Sequence, residues 1–460
     1  MPNVLSRGVF NLFFGSKRQA FASLPGPQPG ILGTAGDFLG AQPWDVCARY
    51  GREYGGVTLI WMGPNPGLVL NDPVLIEQLL DSRRTEFEKG SLRQELTPTT
   101  TDQSLFIAPQ SGDWAEKRRI DPFVQPWSPD WLAAQVAPMQ AAISDFVDGL
   151  IASGKTVDLA PVLRRLTCDA FAVAAIGEKL PDSVYEDFML LAKGADARIQ
   201  AKLPLKFVSL PKGFEEARER FYRFFDERVS AARRNPKPEA NDLMSRTMRE
   251  VPDFGDKALA VNIALIFYGG AFSSSTALAG AFHQLQKHPD AEARLASEAA
   301  AFAGGPPTLE RLNEARWAEA VVLESMRVLP PVRVFTRSPV TDVSFAGVTM
   351  PAGATIMVSN QYLHRDPQHW PNPDTFEPAR WLDGGTARDP IGSGHYFPFG
   401  RGPRMCVATD FAMVFLRTAM VTIAARAKAE ISSTEPFEEG FFFGVVLPTN
   451  VHTKFITRPR

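Results

Sequence analysis

Apolar positions recur at helical spacing from about Trp114 to Asp290, broken at Pro-bearing segments: Pro129–Trp131, Leu180–Ser183, Leu203–Gly213 and Arg233–Asp242. The longest apolar stretch, Ala258–Lys287, predicts a central helix, and Gly269 and Gly270 at its middle weaken it enough to let it bulge. Two shorter runs, GGVTLIWMG and PGLVLN, are β-branched and aromatic and predict a small hairpin between Gly55 and Asn71. Beyond Pro330 the pattern turns extended, over Arg333–Val340 and Val343–Ser359. A Pro-rich irregular stretch, Asp366–Pro390, follows, and then a final helix from near Cys406 to about Ala427.

The first 23 residues stand apart, because the LPGPQPGILG punctuation at Leu24–Gly33 stops any helix and opens the folded body. Val4, Leu5, Val9, Phe10, Leu12, Phe13 and Phe14 are interrupted by Arg7 and Asn11, so the segment falls short of the roughly 20 apolar residues of a membrane span. It has no convincing cleavage pattern either. Two readings stay open for residues 1–23: a packed N-terminal helix, or an amphipathic helix that meets a membrane surface with Lys17 and Arg18 behind it.

Composition narrows the function classes. The chain has 460 residues, of which 45% are hydrophobic and 22% charged, as expected of a globular protein. With 33 Phe against 7 Tyr and 8 Trp, aromatic bulk comes with few polar handles, which suits a dry core or an apolar cavity. The net charge is −2 and no basic stripe tracks a phosphate backbone, so nucleic-acid binding is not expected. Cys47, Cys168 and Cys406 are widely spaced and odd in number, which argues against a disulfide framework or zinc cluster and for a reducing, cytoplasmic location.

One loop carries chemistry. In FPFGRGPRMCVA, Phe397–Ala408, two glycines permit a tight turn, Arg404 supplies a cation, and Cys406 sits where the last helix begins. The positive end of a helix dipole lowers a thiol pKa and prepares it as a metal ligand. Taken alone, Cys406 reads as a buried structural thiol, as lone cysteines usually are. The loop, however, resembles the haem-binding signature of the cytochrome P450 family, F-x-x-G-x-R-x-C-x-G, through Phe399, Gly402, Arg404 and Cys406. Ala408 replaces the last Gly.

Further motifs extend the resemblance. Glu324 and Arg327 form E-x-x-R, and FEPARW supplies Arg380, the third member of the family's structural triad. Trp114 and Arg118 match a W-x-x-x-R whose Arg meets a haem propionate. Arg337 falls where a second propionate partner is offered, Arg404 is the third, and His364 in HRDP matches a structural position. The likeness runs from Leu24 almost to the end of the chain. It implies a mainly α fold with a small β component, one catalytic domain over 24–460, and haem b ligated by Cys406 between the central helix and the cysteine loop. It also implies a monomeric monooxygenase that acts on an apolar small molecule with electrons from a ferredoxin and reductase, or from hydrogen peroxide.

The central helix departs from the family. Aligning Gly269 and Gly270 with the pattern A/G-G-x-D/E-T places Phe272 at the acid and Ser273 at the alcohol that together deliver protons during oxygen activation. The catalytic candidates are therefore Gly270, Phe272, Ser273 and Ser274, and none carries a carboxylate's proton affinity. Three outcomes compete: an ordinary monooxygenase served by serine and water; a peroxide-using enzyme, isomerase or dehydratase that bypasses the relay; and a haem sensor or carrier. Substrate contacts are expected from Gly90–Gly112, Glu186–Leu210, the central helix and Val332–Phe335. Arg333 there reads either as a carboxylate anchor or, more often for such a residue, as a solvent-facing charge.

Overall fold

The computed structural model describes residues 4–39, 41–90, 96, 99–100, 128–201, 205–302, 305, 307–383, 394–432 and 438–458. The elements that matter here begin with α1 (Val4–Gln19), α2 (Pro43–Tyr54), β1 (Val57–Met62), β2 (Asn65–Leu70) and β3 (Phe87–Glu88). There follow α3 (Pro129–Ser153), β4 (Thr156–Asp158), α4 (Leu159–Ile176), α5 (Asp182–Ile199), α6 (Phe214–Arg234), α7 (Asp256–Lys287) and α8 (Arg316–Val328). The chain closes with β5 (Val334–Pro339), β6 (Val343–Phe345), β7 (Val348–Met350), β8 (Thr355–Ser359), α9 (Thr409–Arg426), β9 (Ala427–Ile431), β10 (Glu438–Phe442), β11 (Val445–Thr449) and β12 (His452–Thr457). Two compact units emerge, one from Met1–Ser91, Val332–Thr375 and Thr386–Cys406, the other from Leu92–Pro331, Phe376–Gly385 and Val407–Arg460.

The first unit is built on a five-stranded sheet in the order β1-β2-β8-β5-β3. Its hairpin pairs Val57 with Leu70 and Met62 with Asn65, inside the span that the apolar runs predict. Strand β8 joins β2 in parallel, Gly67 opposite Thr355, and β5 runs antiparallel to β8, Val334 opposite Ser359. Because side chains alternate along a strand, Leu59 and Trp61 enter one core with Leu68, Ile356 and Val358. Ile60 and Val69 enter a second core under Val46, Cys47 and Tyr50 of α2. Burial pushes the Cys47 thiol up to about 12, so it serves as an unreactive core residue. Helix α1 docks through Phe10, edge-on to Trp61 at 5.3 Å. The His364 ring is buried and accepts the Phe397 N–H at Nε2, 3.3 Å away, the structural role its motif implies.

The second unit is mostly helical. Helix α3 packs along α4 and α9, and α6 pairs with α5. At its heart α7 runs as one apolar rod with a π-helical turn at Phe267–Ala271, where the two central glycines lie. Among the described residues it is the one helix long and apolar enough to cross a membrane, but most of it is buried as a core helix. The glycine at 270 has a steric cause: a Cβ there would stand 2.3 Å from a ring carbon of Phe171 on α4. The C-terminal strands are not among the predicted elements. β12 lies between β4 and β9, while β10 and β11 form a separate hairpin.

Within this unit the predicted triad closes. Glu324 on α8 has a fully buried side chain and takes Arg327 Nε at 2.9 Å and Arg327 Nη2 at 2.8 Å. Arg380 Nε reaches it at 3.0 Å. Two donors invisible to motif reading complete the shell, the Trp381 indole N–H and the Glu377 backbone N–H, each at 2.8 Å. Removing one member leaves charge buried without its counter-charge, so Glu324→Ala or Arg380→Ala should cost about 3–5 kcal/mol. Lys257→Ala, which breaks an exposed pair with Asp226, should stay within about 0.5 kcal/mol. Urea unfolding midpoints of the variants check this, and near-equal midpoints would reject the triad as a scaffold element.

Candidate active site

In the first unit the cysteine loop is held by its own backbone. The Gly400 N–H donates to Phe397 O at 2.9 Å, Met405 N–H to Gly402 O at 2.8 Å, and Cys406 N–H to Phe399 O at 2.8 Å. Gly400 and Gly402 take φ of 76° and 71°, the left-handed region that favours glycine. At 402 no other residue fits, because a Cβ would stand 2.1 Å from the Leu80 carbonyl oxygen. The loop so fixed presents Met405 and Cys406 outward, both exposed, and the helix begins three residues later at Thr409. A thiol displayed by a rigid loop differs from Cys47 and Cys168, which are sealed in the core.

Strand β5 supplies one cation, Arg337, and the cysteine loop a second, Arg404. Although it lies between two neighbouring strands, Val334, Phe335, Thr336, Arg337 and Ser338 are all only partly buried, which leaves side-chain surface for a further group to cover. Arg337 donates to the Thr336 carbonyl at 2.9 Å and has no carboxylate at ion-pair distance among the described residues. Burial, and then repulsion by the nearby Arg404, push its guanidinium down to about 10. Two guanidiniums that repel one another at a partly open strand suit a ligand carrying carboxylates, which Arg binds through paired N–H donors. The residues present therefore fit a haem: a displayed thiol for the iron and paired cations for propionates. Trp114 and Arg118 lie outside the described residues, as does most of Gly90–Gly112.

Arg333 is not a solvent-facing charge. It is buried, with its guanidinium 5.5 Å over the Trp44 indole, so the expectation of exposure is corrected by a cation–π contact that motif reading does not reveal.

In the second unit the π-turn of α7 sets which side chains are open. Gly269 is exposed and Gly270 and Ser273 are partly so, giving an uncovered strip on an otherwise buried helix. The Ser273 hydroxyl donates back to Gly269 O at 2.9 Å, while Ser274 and Ser275 are buried. Phe272 turns off the strip into the core. Its ring lies 5.6 Å from Phe188, 5.2 Å from Phe442 and 5.1 Å from Phe443, with the Arg164 guanidinium 4.7 Å above it. Arg164 is itself buried, and its Nε has no hydrogen-bond partner among the described residues.

This aromatic wall does not stand out in the sequence, where Phe is abundant everywhere. The Phe-Gly turn between β10 and β11 is the available signal. At its tip Phe443 adopts φ 52°, rare for a bulky residue, and its N–H donates to Asp196 Oδ1 on α5 at 2.8 Å. Burial raises the Asp196 pKa, against the hydrogen bonds from the Phe443 N–H and the Gln200 side chain.

Comparison with known proteins agrees with these features. The family model for Cytochrome P450 matches residues 24–453. Cyclooctat-9-en-7-ol 5-monooxygenase of Streptomyces melanosporofaciens is 27% identical over 81% of this chain and 82% of its own length. Cyclooctatin synthase of the same organism is 25% identical over 86% and 88%. Cytochrome P450 3A41 of Mus musculus is 26% identical over 87% and 84%. Matched along nearly its whole length, and carrying the cysteine loop and the buried E-x-x-R triad, this chain belongs to the cytochrome P450 family, the haem-thiolate monooxygenases.

Proposed function

We propose that the chain is a haem b monooxygenase of apolar, hydrocarbon-rich small molecules whose proton supply runs through Ser273 and water, without a carboxylate. The observation that carries this reading is the pair at the π-turn: Ser273 on the open strip, and Phe272 turned into an aromatic cluster under Arg164. Cys406 would hold a haem through its thiolate, and the thiolate-bound haem would supply the oxidising chemistry. Arg337 and Arg404, with Arg118, would hold its propionates. Relatives named Cyclooctat-9-en-7-ol 5-monooxygenase and Cyclooctatin synthase support a hydrocarbon-rich substrate.

The protein's own part in the proton supply is limited by the chemistry of serine. Ser273 can pass a proton only by giving up its bond to Gly269 O and rotating, and it lacks a carboxylate's affinity for the next one. Electrons from a ferredoxin and reductase should therefore be used wastefully. Hydrogen peroxide, which brings two electrons and two protons, bypasses the step. The peroxide-using reading is the second one kept, because the same Phe272 geometry supports it.

Ligation is tested first. Purified protein should hold one haem b, and its reduced carbon monoxide complex should show the red-shifted Soret band of a thiolate ligand. That band should vanish in Cys406→His, and its survival there would show that another residue ligates iron. Arg337→Ala should keep the band but lose haem faster to an apo-globin acceptor.

Proton supply is tested by product formed per reduced nicotinamide consumed, beside product formed from peroxide. The native protein should couple poorly and accept peroxide comparatively well. In Phe272→Asp the Arg164 guanidinium stands beside the new carboxylate and opposes the rise in pKa that burial alone would cause, so coupling should improve. In Phe272→Asp/Arg164→Met that improvement should shrink. Tight native coupling with no peroxide product would return the chain to ordinary monooxygenases in which serine and water suffice.

A further inference from the structure

Helix α1 has two unlike apolar faces. Phe10 is buried against Trp61, and Phe14 packs partly against the same core. On another side Val9, Leu12 and Phe13, at i, i+3 and i+4, form a stripe 37%, 80% and 70% exposed. Exposed apolar residues scattered singly are ordinary, whereas a contiguous stripe marks a contact surface. Ile31 and Leu32, 60% and 55% exposed, lie in the turn closed by Gly30 and Gly33. That turn and the C-terminal end of α1 meet at one place: Leu32 O accepts the Gly63 N–H at 3.2 Å, and Lys17 Nζ donates to Pro64 O at 3.0 Å.

Charge decides what could cover this corner. From Val4 to Gly36 the chain carries Arg7, Lys17 and Arg18 and no Asp or Glu, the first carboxylate being Asp37, although the whole chain is at −2. A second copy would bring the same cations face to face. An anionic lipid surface matches both properties, offering acyl chains to Leu12 and Phe13 and phosphates to the cations. Lys17 directs one N–H to Pro64, which leaves two donors for a headgroup. At 16 residues α1 is too short to span and would lie in the interface plane.

We propose that α1, together with the Gly30–Gly33 turn, docks this protein peripherally on anionic phospholipid membranes. The test is co-sedimentation of the full-length holoprotein with phosphatidylglycerol–phosphatidylcholine vesicles beside pure phosphatidylcholine vesicles. Most of the protein should pellet with the anionic vesicles and little with the neutral ones, and on the order of tenfold less should pellet at high salt, as screened exposed charges require. Leu12→Asp/Phe13→Asp, at exposed positions, should stay in the supernatant with its haem spectrum unchanged. Lys17→Gln/Arg18→Gln should bind less to anionic vesicles. Native protein left in the supernatant, or pelleting of the Leu12/Phe13 variant equal to native, overturns the proposal. So does a native dimer that this variant converts to monomer in sedimentation velocity, which would assign the stripe to self-association.

Discussion

A carboxylate with no exposed surface must find its whole solvation among its neighbours, and Glu324 obliges several separate groups to come to it. Its two oxygens collect Arg327 from its own helix, Arg380 and Trp381 from a segment more than fifty residues on, and the Glu377 N–H from the same segment. Such a cluster adds little net stability over well-packed apolar side chains of similar volume, because desolvation offsets the attraction. What it excludes is any arrangement in which the Phe376–Trp381 segment lies elsewhere, since each alternative leaves a buried charge unanswered. The described part of the irregular, Pro-rich stretch, residues 366–383, forms no strand ladder, so this requirement gives it a defined course.

The cysteine loop solves a similar problem without charge. A loop that displays a thiol cannot rest on side-chain packing around that thiol, so it is fixed through backbone bonds and through two glycines, at 400 and 402, in conformations that other residues rarely adopt. The approach of Gly402 to Leu80 ties the loop to the helical turn behind it. Rigidity here rests on the main chain, which is why the motif is short and readable.

That difference explains what was legible. Cys406, Gly402, Arg404 and the Glu324–Arg380 pair were legible through the resemblance to the family's short motifs, and at Gly402 the structure adds the steric reason, the close approach to Leu80. The hairpin at Gly55–Asn71 and the broken central helix were readable from period and from glycine placement. Strands β9 to β12 were not: Ala427–Ile431 and His452–Thr457 are short, mixed in polarity and paired with distant segments, so their pattern depends on partners that local sequence does not name. Arg333 and Arg164 were likewise opaque. A guanidinium reads as surface, and the indole or phenyl ring it stacks on is met only in the folded chain.

The exchange at position 272 follows from the same constraint on buried charge. A carboxylate there would sit at the edge of Arg164, so the wall would hold an ion pair where it now holds a guanidinium on a ring. With phenylalanine the wall is drier and better packed, because Phe188, Phe442 and Phe443 close around one more ring at 5–6 Å. The ring that completes the wall on that side leaves the open strip without an acidic proton donor. Ser273, one residue along and about 100° around the helix, is then the first hydroxyl on the open strip, and it back-bonds to Gly269 O as serines in helices commonly do. The side chain at 272 thus closes an aromatic cluster in the core and leaves Ser273 as the hydroxyl on the open strip among the described residues.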